Sequence, residues 1–499
     1  MNDLLNTLTQ RAVQSPESIV LENSVETVSV ARLLQEVQSL AAVLSSSGFA
    51  RVALLADNSP NWVRVDLAAQ LAEVCLVPIP TFFSAGQREH ILRVAGIEAV
   101  VVSDQRSASM TSLPGAQAAR RLRTGLLMVP FDGAAVGGAI PAGTAKITFT
   151  SGSTGDPKGV CLSTEQCLRV AQSLMATVGV ATPRHLSLLP LSTLLENIAG
   201  VYWPLLAGGR VILPAPDELG LAGSSGIEPK RLLTALKHWN PQTLIVIPQL
   251  LTLFDQALLA GWKPPPTLEF VAVGGARVAP DLLRRARDGG LPVYEGYGLS
   301  ECASVVSLNT PQADRAGTSG RVLPHVEVSV RNGELMVDGN RFLGYLDDPP
   351  SWHPGPVPTG DLGHLDAQGY LSVSGRRKHV LISSFGRNIS PEWVESELLA
   401  DGCLRQVVVL GDDRPFCVAL VYPAQPDCSD AAIEASVTAA NMSLPDYARV
   451  GAWIRLLHPL SADNALLTEN GRPRRALIAE HFYERVALCY SLEKEILAS

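Results

Sequence analysis

The sequence is short of charge: Asp, Glu, Lys and Arg make up 18% of it, against 46% hydrophobic residues. That balance excludes an intrinsically disordered chain, which carries much charge and little apolar surface. A basic excess is also missing. Lys and Arg total 40 and Asp and Glu 48, a net charge of -8, so no overall field draws in a polyphosphate backbone and nucleic acid is not an expected partner. Long apolar runs are absent too. The most apolar stretch, residues 243–254, is interrupted by Pro248 and Gln249 and falls short of the roughly 18 continuous residues of a membrane helix, so no transmembrane segment is expected. The opening Met1-Asn2-Asp3-Leu4 has no basic segment leading into an apolar one, so no secretory leader is expected and the cytoplasm is the expected location. The eight cysteines form no Cys-x-x-Cys pair, which fits reduced, buried thiols better than a disulfide framework or a zinc site.

The 499 residues allow about three compact units, or one large domain with a small appendage. Residues 52–80 read as strand, turn, helix, strand, and the alternation returns at 90–103 and 232–247, which predicts parallel sheets covered by helices. Residues 107–145, rich in Ala, Gly, Ser and Arg with weak periodicity, are expected at the surface. Residues 333–370 carry many Gly, Pro and Asp residues around short strand-like pieces and predict a small β-rich unit ending near Gly375. Beyond it, strand-like runs at 406–410 and 417–422 alternate with helix-like ones, enough for a separate α+β domain.

Four segments carry chemistry. Lys146 to Gly159 is a strand running into a hydroxyl- and glycine-rich loop, Thr150-Ser151-Gly152-Ser153-Thr154-Gly155-Asp156-Pro157-Lys158-Gly159. Glycines let backbone N–H groups approach an anion, hydroxyls add donors, and Lys158 supplies a mobile charge. The spacing is not that of a GxxxxGK[ST] phosphate loop. Next, Phe270 to Ala276 reads as a buried strand ending in Gly274-Gly275-Ala276, and 293–301 includes Gly296-Tyr297-Gly298-Leu299-Ser300-Glu301. Ligands sit at such strand ends; Tyr297 can offer a ring face to a base and Glu301 can hold Mg²⁺. The last two segments are Thr359-Gly360-Asp361 and Gly375-Arg376, a carboxylate and an arginine able to share a ribose diol. Taken singly, the loop reads as a solvated hairpin, Tyr297 as a core aromatic, Glu301 and Arg376 as surface charges and Asp361 as a turn residue.

In this order the four segments resemble the adenylate-forming (AMP-binding) superfamily of acyl-CoA synthetases, firefly luciferase and peptide-synthetase adenylation domains, over nearly the whole chain. The resemblance implies an α/β fold: a large N-terminal body of parallel and mixed sheets with helices and a small β-rich unit (residues 1–377), plus a small mobile C-terminal α+β domain (378–499) hinged near Lys378. It implies that residues 150–155 bind phosphate, that Gly274, Gly275 and Ala276 flank adenine, that Tyr297, with Gly296 and Gly298 beside it, stacks on the base, that Ser300 and Glu301 contact phosphate and Mg²⁺, and that Asp361 and Arg376 hold ribose. Gly386 would face the acceptor thiol. Glu73 stands where the family commonly has glycine.

Residues 189–208 look most like the pocket helix of long-chain fatty acyl-CoA synthetases, with Thr193 and Asn197 in place of that version's His and Arg. Thr193, Leu194, Asn197 and Gly275 are thus expected at the carboxylate pocket. No Asp is available there for an ammonium group, so an apolar acid fits better than an amino acid. Residues 464–475 resemble the C-terminal loop that delivers a catalytic lysine, but Arg472 occupies its place; Arg474 and Arg475 are the alternatives if the register differs. The implied catalytic set is Arg472, Glu301 and Lys158, with ATP, Mg²⁺ and coenzyme A as cofactors and acyl-AMP as the intermediate. A carrier-protein phosphopantetheine is the second candidate acceptor, and a nucleotide- or acyl-binding relative that has lost catalysis is the competing class.

Overall fold

The computed structural model describes residues 2–131, 137–150, 157–222, 226–468 and 471–497. Two large sheets build the N-terminal part. The first has eight strands, with Lys146–Thr150, Cys75–Pro78, Arg51–Leu55 and Ala99–Val102 running parallel at its centre. The sequences of the middle strands explain this: Cys-Leu-Val-Pro and Ala-Val-Val-Val are buried at every residue, as parallel strands covered on both faces must be. The connecting helices start at defined signals. Ser59 caps helix Pro60–Ala72, with Pro60 in the first turn, and Ser84 and Gln87 form a reciprocal capping box at Ala85–Val94.

The second sheet has nine strands, and its core is the parallel run Arg184–Leu186, Thr243–Val246, Phe270–Val273 and Val293–Leu299. Helices Pro229–Trp239, Pro248–Leu259 and Pro280–Asp288 each begin on a proline, whose fixed φ suits the first turn and whose missing N–H costs nothing there. Residues 194–206 form one continuous helical stretch with a π-turn, Ile198–Tyr202, buried at all five residues. A four-stranded antiparallel sheet, Glu327–Arg331, Glu334–Asp338, Val357–Leu365 and Leu371–Arg376, is the small β-rich unit.

The C-terminal part is built on the three-stranded sheet Leu404–Leu410, Cys417–Pro423 and Val450–Arg455, with one apolar cluster on each face. It leans on the N-terminal helices through Ala400 and Gly402. Arg285 donates to the Ala400 carbonyl at 2.6 Å and Gln256 to that of Gly402 at 3.3 Å. Gly402 is in the left-handed region, φ +75°, and any Cβ there would run into the Gln256 amide; glycine alone permits this approach.

Two expectations need correction. Residues 107–145 are not a plain surface segment: Leu127–Pro130 pairs antiparallel with Ala99–Val102, and Met110, Leu122, Leu126, Met128 and Val129 are buried. The strand is paired on its other side with Arg120–Arg121, and its four residues are too few to display a period within a polar stretch. The cysteines are not uniformly buried, because Cys403, Cys428 and Cys489 are only half-buried. Glu73, at the end of Pro60–Ala72, takes φ 54°, a helix-terminating conformation that glycine adopts at lower cost. Among the described residues no helix is long and apolar enough to cross a membrane.

Candidate active site

The site lies where Val293–Leu299 leaves the second sheet and meets the small antiparallel sheet. This strand pairs with Phe270–Val273 on one side and with Ser304–Leu308 on the other. The pairing at Gly298 is so close that any Cβ would collide with the Ser304 carbonyl. At the end of Phe270–Val273, Gly274 is buried, with room for a Cβ only against the Gly296 carbonyl at 3.4 Å, whereas Gly275 faces open space, where a Cβ would meet only a methyl of Ile247 at 3.9 Å. Gly275 and Ala276 are exposed. The strand ends thus border an open shelf that a flat ring can enter.

Tyr297 projects from this strand and donates its hydroxyl to Asp361 Oδ2 at 2.6 Å. Burial, then the Asp361 charge, raises its pKa far above the ordinary range. Asp361 and Arg376 are direct cross-strand partners, and Arg376 Nε lies 2.8 Å from Asp361 Oδ1. Arg376 also donates to the Thr359 carbonyl at 3.2 Å, and the Thr359 hydroxyl accepts from the Asp361 N–H at 3.0 Å. Burial raises the Asp361 pKa, while Arg376 and the Tyr297 hydroxyl oppose the rise.

Ser300 and Glu301 open the 3₁₀ turn Ser300–Cys302. Tyr345 donates its hydroxyl to Glu301 Oε1 at 2.8 Å, and its ring centroid lies 5.2 Å from Lys158 Nζ, a cation–π distance. Tyr345 therefore stands between the exposed Lys158 and Glu301, a position the sequence reading missed. Its only signal is a glycine followed by tyrosine before Asp347-Asp348-Pro349, which fixes no partner. Thr150 and Lys158 are cross-strand neighbours at the base of the glycine-rich hairpin; Ser151, Gly152, Ser153, Thr154 and Gly155 lie outside the described residues.

The C-terminal region contributes Arg472. Its N–H donates to the Thr468 hydroxyl at 3.1 Å; crowding around the guanidinium first, then repulsion by Arg376, lowers its pKa, with the charges of Asp361 and Glu301 opposing. Arg472 as a whole residue remains exposed. Arg475 faces elsewhere: it grips Glu395 with two bonds of 2.7 Å, and that buried bidentate pair raises the Arg475 pKa despite desolvation. Lys378 lies in the short turn Arg377–His379, between the two parts, and Gly386 at φ +72° forms an exposed hairpin tip.

The pocket-helix residues are placed differently. The Thr193 hydroxyl donates to the Pro190 carbonyl at 2.6 Å, and Leu194 is buried. Asn197 is turned away from any open pocket. It donates to Asp66 Oδ2 at 3.0 Å and accepts from Lys146. Lys146 also reaches Asp66 at 2.8 Å and the Tyr202 hydroxyl at 2.8 Å, and Tyr202 donates to Asp66 at 2.6 Å. This closed cluster ties the base of the glycine-rich hairpin to the π-turn. Beside it, His185 Nε2 lies 3.0 Å from Glu196 Oε1, both fully buried.

A family model described as AMP-binding enzyme matches residues 8–346, and one described as AMP-binding enzyme C-terminal domain matches 378–494. A long-chain-fatty-acid–CoA ligase, FadD15 of Mycobacterium bovis, is 29% identical over 250 residues, 44% of this chain and 42% of its own length. A 2-succinylbenzoate–CoA ligase of Bacillus velezensis is 29% identical over 290 residues, 54% of this chain and 56% of that protein. The match thus spans about half the length of these relatives. O-succinylbenzoate coenzyme A synthetase from Bacillus subtilis, solved with ATP and a magnesium ion, has the same fold: TM-score 0.73 at 23% identity, covering 94% of this chain and 98% of that one.

Proposed function

The chain belongs to the AMP-binding enzyme family, and on that premise we propose that it is an acid–thiol ligase: it activates an apolar carboxylic acid with ATP to an acyl-adenylate, releasing pyrophosphate, and passes the acyl group to coenzyme A. The observation that carries this reading is the convergence of Arg472 on Asp361, Arg376 and Glu301. A cation from one part of the chain interacts through charge with a carboxylate–arginine pair and a second carboxylate on the other, near the open strand end at Gly275.

In this reading adenine lies on the shelf beside Gly274 to Ala276, against Tyr297, and Asp361 with Arg376 orients the ribose. The Tyr297 hydroxyl bond to Asp361 holds the carboxylate and the ring in one geometry. Arg472 offsets charge as the substrate carboxylate attacks the α-phosphorus, and Lys158 with the glycine-rich loop receives the departing pyrophosphate. The donor set fits a hard divalent ion: Glu301 engages Tyr345 through one oxygen and presents the other. Magnesium bound there would neutralise phosphate charge.

The apolar acid is supported by the composition of residues 194–206 and by the state of the nearby carboxylates. Asp66 is paired with Lys146, and Glu196, fully buried, engages His185 through Oε1 while its Oε2 has no partner, so of the two only Glu196 keeps a free acceptor. The fatty-acid ligase FadD15 points the same way, whereas the 2-succinylbenzoate relative favours an aryl acid. A screen of fatty, aryl and amino acids for ATP-dependent pyrophosphate release tests the proposal; preferential turnover of an amino acid, or none with any acid, overturns it. Supplying coenzyme A or a phosphopantetheinyl carrier protein as acceptor then decides between the two thiols. The division at residues 377 and 378, with Lys378 as hinge, is part of the same proposal: Lys378→Pro fixes φ and is expected to depress adenylate formation and thioester formation unequally.

A further inference from the structure

Cys403 and Cys428 stand 25 residues apart in sequence, yet their sulfurs lie 3.6 Å from each other. Cys403 ends the turn between helix Pro391–Leu399 and strand Leu404–Leu410, its N–H held by Asp401 Oδ1 at 2.9 Å. Cys428 precedes Ser429, the capping residue of helix Asp430–Ser443. Apart from each other, the sulfurs approach the backbone carbonyls of Ala432 at 3.8 Å and Ser429 at 3.7 Å, and the Ser436 hydroxyl lies beside Cys403. Both cysteines are half-buried, whereas Cys75, Cys161, Cys167, Cys302 and Cys417 are buried. Among the described residues no group of three or more His, Cys, Asp or Glu could hold a metal, so the pair is not part of a zinc site.

Two sulfurs in van der Waals contact and open to small solutes need only approach by about 1.5 Å to reach the length of a disulfide bond. We propose that Cys403 and Cys428 are a reversible disulfide site, closed by a hydroperoxide. One thiolate attacks the peroxide, breaking the O–O bond, forming a sulfenic acid and releasing hydroxide. The second thiol then displaces hydroxide from that sulfur, so that two thiols and one hydrogen peroxide give one disulfide and two waters. Burial, then Cys428, raises the Cys403 thiol to about 11, which suits a dose-dependent responder better than a fast redox catalyst.

The location gives the bond a consequence. Ala400 and Gly402, immediately before Cys403, supply the carbonyls that Arg285 and Gln256 grip. A cross-link at Cys403 would tie the turn that bears on the N-terminal helices to the start of helix Asp430–Ser443.

The test uses the full chain, treated with hydrogen peroxide, alkylated, digested and weighed. The expected result is a peptide pair joined through Cys403 and Cys428, two hydrogens lighter than the sum, with two free thiols lost and regained with dithiothreitol. Cys403→Ser and Cys428→Ser should each abolish the linked pair, and Cys489→Ser should keep it. Sulfinic acid at Cys403 without a link, a link through Cys489 instead, or intact thiols at a dose that oxidises a small dithiol would overturn the proposal.

Discussion

Two clusters of charge in the molecule are built from the same kinds of residue. In the first, Asp66, Lys146, Asn197 and Tyr202 are all buried and bond one another. In the second, Asp361, Arg376, Tyr297 and Arg472 also converge, but Gly275 beside them is exposed and Arg472 reaches in from another part of the chain. The first cluster has spent its hydrogen-bonding capacity on itself, and the second keeps some in reserve. Residue type does not separate scaffold from site; unfilled valence does.

The largest effect is expected from breaking the closed cluster. Lys146→Met leaves Asp66 buried without its cation and should cost about 3–5 kcal/mol of stability, read as a lower urea midpoint. Pairing it with Asp66→Leu should recover part of the loss. No recovery would mean that the two charges do not act as a pair.

The open cluster should respond in the opposite way. Arg472→Ala is expected to leave the urea midpoint within about 0.5 kcal/mol, as for an exposed substitution. The same variant should slow pyrophosphate release by roughly 10²–10³-fold, the scale of one lost electrostatic donor. Thioester formation from supplied acyl-adenylate should suffer less, and Arg472→Lys should retain adenylation. Undiminished adenylation in the alanine variant would place the chemistry elsewhere.

Glu295 lies between the two extremes. It shares a strand with Tyr297, and burial, partly offset by Arg277 and Arg287, raises its pKa from 4.5 to about 7. Between those values the native state holds a proton that the unfolded chain has released, so unfolding free energy should fall as pH rises through this window and level off above it. Glu295→Gln should flatten that slope, a difference of roughly 2–3 kcal/mol between pH 4.5 and 7.5. An unchanged slope in urea titrations would show that the carboxyl is better solvated than its surroundings suggest. The smallest effect is Glu73→Gly, expected to add about 0.5–1 kcal/mol by relieving a left-handed residue.

The sequence disclosed some of this and concealed the rest for physical reasons. Parallel strands were legible because burial on both faces demands unbroken apolar runs, as in Val52 to Leu55. The strand Leu127–Pro130 was not, since four apolar residues inside a polar stretch are too short a run to show a period. Asp361 and Arg376 were paired in sequence as groups that share a ribose diol; the hairpin register adds that they also bond each other directly. Asn197 could be placed on a helix by pattern, but pattern does not say which way an amide turns, and here Lys146, far away in sequence, decides it. Tyr345 carried no periodic signal at all. Among Arg472, Arg474 and Arg475 the register stayed open in sequence; in the structure Arg475 bonds Glu395, and Arg472 interacts through charge with Asp361 and Glu301.

That last pair limits how far the segment bearing Arg472 can travel. Arg475 is clamped to helix Pro391–Leu399 through Glu395, and three residues of chain reach no more than about 11 Å when fully stretched. Arg472 is therefore a short leash on a fixed post: wherever the C-terminal sheet goes, the cation goes with it. If the proposed role of Arg472 holds, its charge stands beside Asp361 only in poses where the two parts of the molecule are in contact, and the arginine would report their proximity as well as offset charge.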